Sequence, residues 1–131
     1  MQGKVNAMKR ILVIDDDDTL RAMLKRLFCA AGYDVAVAED GMEAIRIQQA
    51  RPFDLIMTDL VMPEKEGIEV IMEFRKKYPA TKIIAMSGGG RIHPDQYLEL
   101  ARSLGAQRAF TKPFKAKEVL AAVKELLKDE G

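Results

Sequence analysis

The residues best placed to do chemistry fall at four points: Asp15-Asp16-Asp17-Asp18, Asp59, Ser87 and Lys112. Each lies at the end of a stretch that reads as a strand: Ile11-Leu12-Val13-Ile14, Leu55-Ile56-Met57, Lys82-Ile83-Ile84-Ala85-Met86, and Arg108 to Thr111. Carboxylates about 4 Å apart repel by about 4 kcal/mol at an effective dielectric of about 20, so packing several together calls for a cation among them. Hard divalent cations take oxygen ligands, and Mg²⁺ characteristically uses one or two carboxylates with waters and phosphate oxygens. Three glycines follow Ser87, which lets backbone N–H groups approach an anion. Pro113 fixes the backbone beside Lys112 and makes a cis bond accessible. An acidic pair, an aspartate, a hydroxyl and an ammonium together describe a carboxylate nucleophile, a Mg²⁺ site and two groups to hold the remaining oxygens of a phosphoryl group.

Taken singly, each has a plainer reading. Asp59 is then a turn or cap aspartate, the acidic run a solvated turn that caps a helix, and Lys112 a solvated surface lysine. An EF-hand does not fit, because Leu20 stands where that loop needs Gly. The joint occurrence at four strand ends carries the argument.

The elements that must position these residues alternate along the chain. Leu20, Met23, Leu24, Leu27 and Phe28 recur at helical spacing, with Asp17 or Asp18 as N-cap and Gly32 as the stop. Val35–Ala38 reads as a second strand, and residues 41–50 form a helix ended by Arg51-Pro52. Ile68, Ile71, Phe74 and Tyr78 mark a third helix. Tyr97, Leu100, Ala101 and Leu104 mark a fourth, and Val119, Val123, Leu126 and Leu127 a fifth. Five strands alternating with five helices predict an α/β fold, a doubly wound parallel sheet with helices on both faces. Residues 1–8 read as a loose lead-in and 9–131 as a single domain.

Composition bounds the function. Net charge is +1, which argues against a dedicated nucleic-acid binder; residues 1–66 carry −3 and 67–131 carry +4, largely because of the acidic cluster near residue 16. No apolar run approaches the roughly 20 residues of a membrane span, and the N-terminus lacks a signal-peptide pattern. The single Cys29 excludes an internal disulfide and fits a cytoplasmic setting; it reads as a buried or half-buried filler on its helix.

From about Lys9 to Asp129 the chain resembles a response-regulator receiver domain. The resemblance implies a five-stranded flavodoxin-like sheet of order 2-1-3-4-5. It puts the Mg²⁺-binding acidic pair on Asp15 and Asp16, the phosphoacceptor on Asp59 and a metal-binding carbonyl on Val61. Ser87 and Lys112 then contact the phosphoryl group, with a cis bond before Pro113. It further implies a signalling switch rather than an enzyme, phosphorylated by a sensor histidine kinase, a histidine phosphotransfer protein or a small acyl phosphate. Output runs to a protein target through roughly 95–128, by a monomer or weak dimer, and the chain shows no DNA-reading element. His93, the only histidine, lies beside Pro94 in a loop and reads as a surface residue.

Two departures from the family pattern bear on the switch. Ala109 stands where the family commonly has Tyr or Phe, and the adjacent Phe110 must point to the opposite face of its strand. Activation is therefore expected to reshape the Gly88–Asp95 loop and the helix after it. Val61 and Gly89 lack side chains that could position a water, which implies a long-lived aspartyl phosphate. A rival reading takes Asp15-Asp16-Asp17-Asp18-Thr19 as the D-x-D-x-T signature of haloacid-dehalogenase-type phosphatases, with Asp15 as nucleophile and Asp17 as acid. It lacks a further acidic motif at a strand end after Lys112 and leaves Asp59 unexplained.

Overall fold

The structure is a computed structural model that describes residues 8–60, 67–88 and 94–128, with backbone alone for 94–98. Nearly all of the 1–8 lead-in lies outside the described residues, as do Val61, Gly89 and His93. Strands and helices alternate as β1 (Arg10–Ile14), α1 (Asp18–Ala30), β2 (Asp34–Ala38), α2 (Gly41–Ala50) and β3 (Leu55–Asp59). They continue as α3 (Gly67–Lys77), β4 (Lys82–Ser87), α4 (Pro94–Leu104), β5 (Arg108–Thr111) and α5 (Ala116–Leu127). The sheet is parallel throughout, in the order β2-β1-β3-β4-β5.

The central strands are apolar without alternation because both faces are covered. Ile11 and Val13 of β1, Leu55 and Met57 of β3, and Ile84 and Met86 of β4 pack toward α1 and α5, against Leu24, Phe28, Val119 and Val123. Leu12, Ile14, Ile56, Ile83 and Ala85 pack on the other face, against Ala44 of α2, Val70, Ile71 and Phe74 of α3 and Ala101 of α4. Truncating any of the large ones to Ala is expected to cost about 2–5 kcal/mol, because the close-packed surroundings collapse only partly into the void. Ala109 lies on the α2/α3/α4 side and Phe110 on the α1/α5 side, as strand alternation requires.

The helix ends follow from local chemistry. Asp17 caps α1, its carboxylate accepting from Thr19 N and Leu20 N. At the other end Gly32 takes φ +99°, and Gly32 N and Tyr33 N donate to Cys29 O and Phe28 O, the paired bonds of a Schellman stop. Two side-chain placements differ from the periodicity. Cys29 is exposed, because Leu24 and Phe28 take the inward line of α1 and position 29 is turned away from it. Leu100 is 45% exposed, since Ala101 makes the buried contact from α4.

Register then gathers the strand ends. Ile14 pairs with Thr58, Asp59 with Met86, and Ser87 with Thr111. Asp15, Asp59, Ser87 and Lys112 therefore leave the same carboxyl edge within about one residue step, roughly 3.3 Å, of their neighbours.

Candidate functional site

Asp15 is fully buried, and both of its oxygens are engaged. Oδ1 accepts from Asp17 N at 2.9 Å, and Oδ2 accepts from Lys112 Nζ at 2.8 Å. The same ammonium lies 3.5 Å from Asp59 Oδ1. Asp16 is exposed, and its carboxylate has no hydrogen-bond or ion-pair partner among the described residues. Asp15, Asp16 and Asp59 each offer one oxygen, and these three lie within 4.8 Å of one another.

This donor set fits a hard divalent cation. It is all oxygen and anionic, and octahedral Mg²⁺ at about 2.1 Å sets its ligands about 3–4.2 Å apart, near the spacing present. Thiolate- or imidazole-seeking metals would find no soft or nitrogen ligand in this cluster. The Lys112–Pro113 bond is cis, as the resemblance implied.

The electrostatics are uneven across the cluster. Burial is the largest influence on Asp59 and pushes its carboxyl up to about 6, with Lys112 working against it and Asp15 and Asp16 adding to it. Burial pulls the Lys112 ammonium down, but its hydrogen bond to Asp15 and the charges of Asp59 and Asp15 outweigh that, so the net shift is upward. At neutral pH the site thus holds a charged lysine beside a mostly ionised Asp59.

Ser87 ends β4, is 1% exposed, and its Oγ has no hydrogen-bond partner among the described residues. A buried hydroxyl left open in this way costs about 1–3 kcal/mol unless a ligand or water meets it. Its backbone carbonyl accepts from Lys112 N at 2.6 Å. The next residue, Gly88, has φ +138°, and a Cβ there would fall 2.8 Å from Lys112 O. The β4 and β5 ends are thereby locked together at the site.

Sequence reasoning passed over three residues. Gly67 opens α3 so close to β3 that a Cβ on it would stand 2.0 Å from Asp59 O. Thr58, fully buried, donates its hydroxyl to that same carbonyl at 2.9 Å. Arg21, on α1, reaches back to the Asp15 carbonyl at 2.7 Å. A glycine at a helix start and an arginine on an amphipathic helix carry no local signal of such contacts. Val61, the expected carbonyl ligand, lies outside the described residues. Asp17, the acid of the phosphatase alternative, caps α1 through its Oδ1.

Beside Lys112 opens a cavity of about 330 Å³ lined by Asp17, Thr19, Leu20, Met23, Lys112, Pro113 and Phe114. Its apolar wall shares the lysine with the acidic cluster. None of the helices among the described residues is long and apolar enough to cross a membrane.

Comparison with known proteins agrees with this geometry. Residues 11–124 match the response regulator receiver domain family. The chain is 34% identical over 121 residues to the transcriptional regulatory protein CpxR of Klebsiella pneumoniae subsp. pneumoniae (strain HS11286), covering 92% of this chain and 50% of that protein. It is 36% identical over 120 residues to the alkaline phosphatase synthesis transcriptional regulatory protein PhoP of Bacillus subtilis (strain 168), covering 92% and 49%. The chain thus spans about half the length of these curated relatives. Among solved structures, Vibrio cholerae chemotaxis protein CheY4 superposes with TM-score 0.80 at 30% identity, covering 92% of this chain and 100% of that one. A putative response regulator from Chloroflexus aurantiacus J-10-fl superposes with TM-score 0.84 at 26% identity, covering 94% and 100%. With the sheet order, the clustered carboxylates and this match over most of its length, the chain belongs to the response regulator receiver domain family.

Proposed function

We propose that the chain is the phosphoacceptor of a two-component relay and that Asp59 receives the phosphoryl group from a phosphohistidine on a sensor histidine kinase or histidine phosphotransfer protein. The observation that carries this reading is the Lys112 ammonium, held 2.8 Å from Asp15 and 3.5 Å from Asp59 beside three converging carboxylates. An ionised Asp59 oxygen attacks phosphorus. The P–N bond to the donor imidazole breaks, and its electron pair leaves on the ring nitrogen, which takes up a proton. Lys112 offers its charge to one phosphoryl oxygen as negative charge spreads over the group, and the open Ser87 hydroxyl donates to another. Magnesium held by Asp15, Asp16, Asp59 and the Val61 carbonyl would supply charge neutralisation at the remaining oxygens and relieve the carboxylates' repulsion.

A protein donor has a surface to meet in the cavity wall of Leu20, Met23 and Phe114, which adjoins Lys112. Once formed, the aspartyl phosphate shifts a two-state equilibrium by the difference in how well each state holds it. We place the output on residues 95–128, the α4–β5–α5 face, acting on a protein target; a signalling switch rather than a turnover catalyst follows from this. The deciding experiment is mass mapping after treatment with acetyl phosphate and Mg²⁺. Label on Asp59, absent from Asp59→Asn, supports the reading; label on Asp15 would return the phosphatase alternative.

A further inference from the structure

We infer that Arg21 is a positioning residue for the metal-binding loop: its guanidinium holds the Asp15–Asp16 peptide so that the Asp16 carboxylate faces Asp15 and Asp59. The inference rests on the magnesium-dependent reading above. Arg21 sits one turn into α1 with its side chain only 12% exposed. Nη1 donates to Asp15 O at 2.7 Å, and Nη2 pairs with Asp18 Oδ1. The two contacts differ in weight. Asp18 is 88% exposed, and a pair so open to water holds little. A charged donor on the carbonyl of a buried residue is the stronger anchor.

That carbonyl belongs to the peptide joining Asp15 to Asp16, and a peptide is planar. Fixing its oxygen therefore fixes the plane from which the Asp16 Cα departs. The rest of Asp15 is held independently, through Asp15 N to Ala38 O at 3.1 Å, Asp17 N and Lys112. Asp16 has no such support: among the described residues its carboxylate has no partner, so only its backbone aims it into the cluster. Arg21 is the side chain on that backbone. Outer contacts that orient a ligand in this way typically change metal affinity by about 10–100-fold when removed.

Positioning and bare electrostatics predict opposite signs. A cation near the loop repels Mg²⁺, so if Arg21 acted by charge alone its removal would tighten binding. If it positions Asp16, removal weakens binding. The test is the melting temperature of the full chain titrated with Mg²⁺ alone, each variant referred to its own metal-free value so that a general loss of stability drops out. Arg21→Met keeps the apolar stem and should weaken Mg²⁺ about tenfold. Arg21→Lys should fall between, because an ammonium can reach the carbonyl but lacks the planar fork that fixes its direction. An Mg²⁺ affinity equal to or tighter than that of the unsubstituted protein, in whichever of the two variants folds, overturns the inference. If the unsubstituted protein itself shows no Mg²⁺-dependent shift, the magnesium reading falls and this inference with it. A shift that is present there and unchanged in the variants removes this inference alone.

Discussion

Lys112 Nζ donates to Asp15 Oδ2 over 2.8 Å, joining residues 97 positions apart in the chain. This contact puts a cation inside an acidic cluster and ties the end of β5 to the end of β1. It also means that the carboxylate cluster is already partly neutralised by the protein itself.

Removing that cation should be felt first as lost stability. In Lys112→Met the fully buried Asp15 keeps one hydrogen bond and loses its counter-charge, and breaking a buried pair on one side costs about 3–5 kcal/mol. Mg²⁺ should then raise the melting temperature by more than in the unsubstituted protein, because it meets carboxylates that no longer have a lysine among them. Thermal unfolding with and without Mg²⁺ measures both. Labelling of Asp59 by acetyl phosphate should slow by at least about tenfold, corresponding to 1.4 kcal/mol.

The raised Asp59 carboxyl makes a pH prediction whose sign is fixed. Its folded value of about 6 exceeds the ordinary carboxylate value, so between about pH 4 and 6 the folded state binds more protons than the unfolded one. Metal-free stability should therefore fall as pH rises through that window. Asp59→Asn should remove the fall and leave the variant more stable at pH 7, on the order of 1–3 kcal/mol, with the difference closing toward pH 4. Denaturant melts at pH 4, 5, 6 and 7 in EDTA would show it; a variant no more stable at pH 7 than at pH 4 relative to the parent would contradict the assignment.

Close backbone approach at the site predicts unusual sensitivity at two glycines. A methyl at residue 67 would sit 2.0 Å from Asp59 O, and one at residue 88 would sit 2.8 Å from Lys112 O at a φ of +138°. Gly67→Ala and Gly88→Ala should each cost about 1–3 kcal/mol. Gly88→Ala should also slow phosphorylation by moving Lys112. Denaturation midpoints and acetyl phosphate labelling rates separate the two effects.

The cavity beside Lys112 predicts a split between donors. Met23→Ala trims the apolar wall without touching the acidic cluster. Transfer from a phosphorylated donor protein should slow about tenfold, while labelling by acetyl phosphate stays within about twofold. Equal slowing with both donors would argue that Met23 acts through the site and not through a docking surface.

Ala109 and Phe110 predict how the signal leaves the site. Phe110 packs on the α1/α5 side, with its ring 6.1 Å from Phe114, and so lies across the sheet from Ala109. Phe110→Ala should therefore leave the phosphorylation response intact. Amide exchange in 88–95 should change by roughly fivefold or more, about 1 kcal/mol, when Asp59 is phosphorylated. Unchanged exchange there would place the switch elsewhere.

Much of this protein can be read from residue type and period, because those signals are local. The apolar runs of β1, β3 and β4, the cap at Asp17 and the positions of Asp59, Ser87 and Lys112 at strand ends are visible in the chain. Tertiary structure alone decided which groups meet. Whether Lys112 pairs with Asp15 depends on strand order and register, which hydrophobic period cannot rank. The exposure of Cys29 depends on which line of α1 faces the sheet. Gly67 matters only because two backbones pass within van der Waals reach, and Arg21 only because its side chain reaches back to the Asp15 carbonyl ahead of α1. A residue's type sets what chemistry it can do, whereas its partners are set by distances that exist only once the sheet has closed.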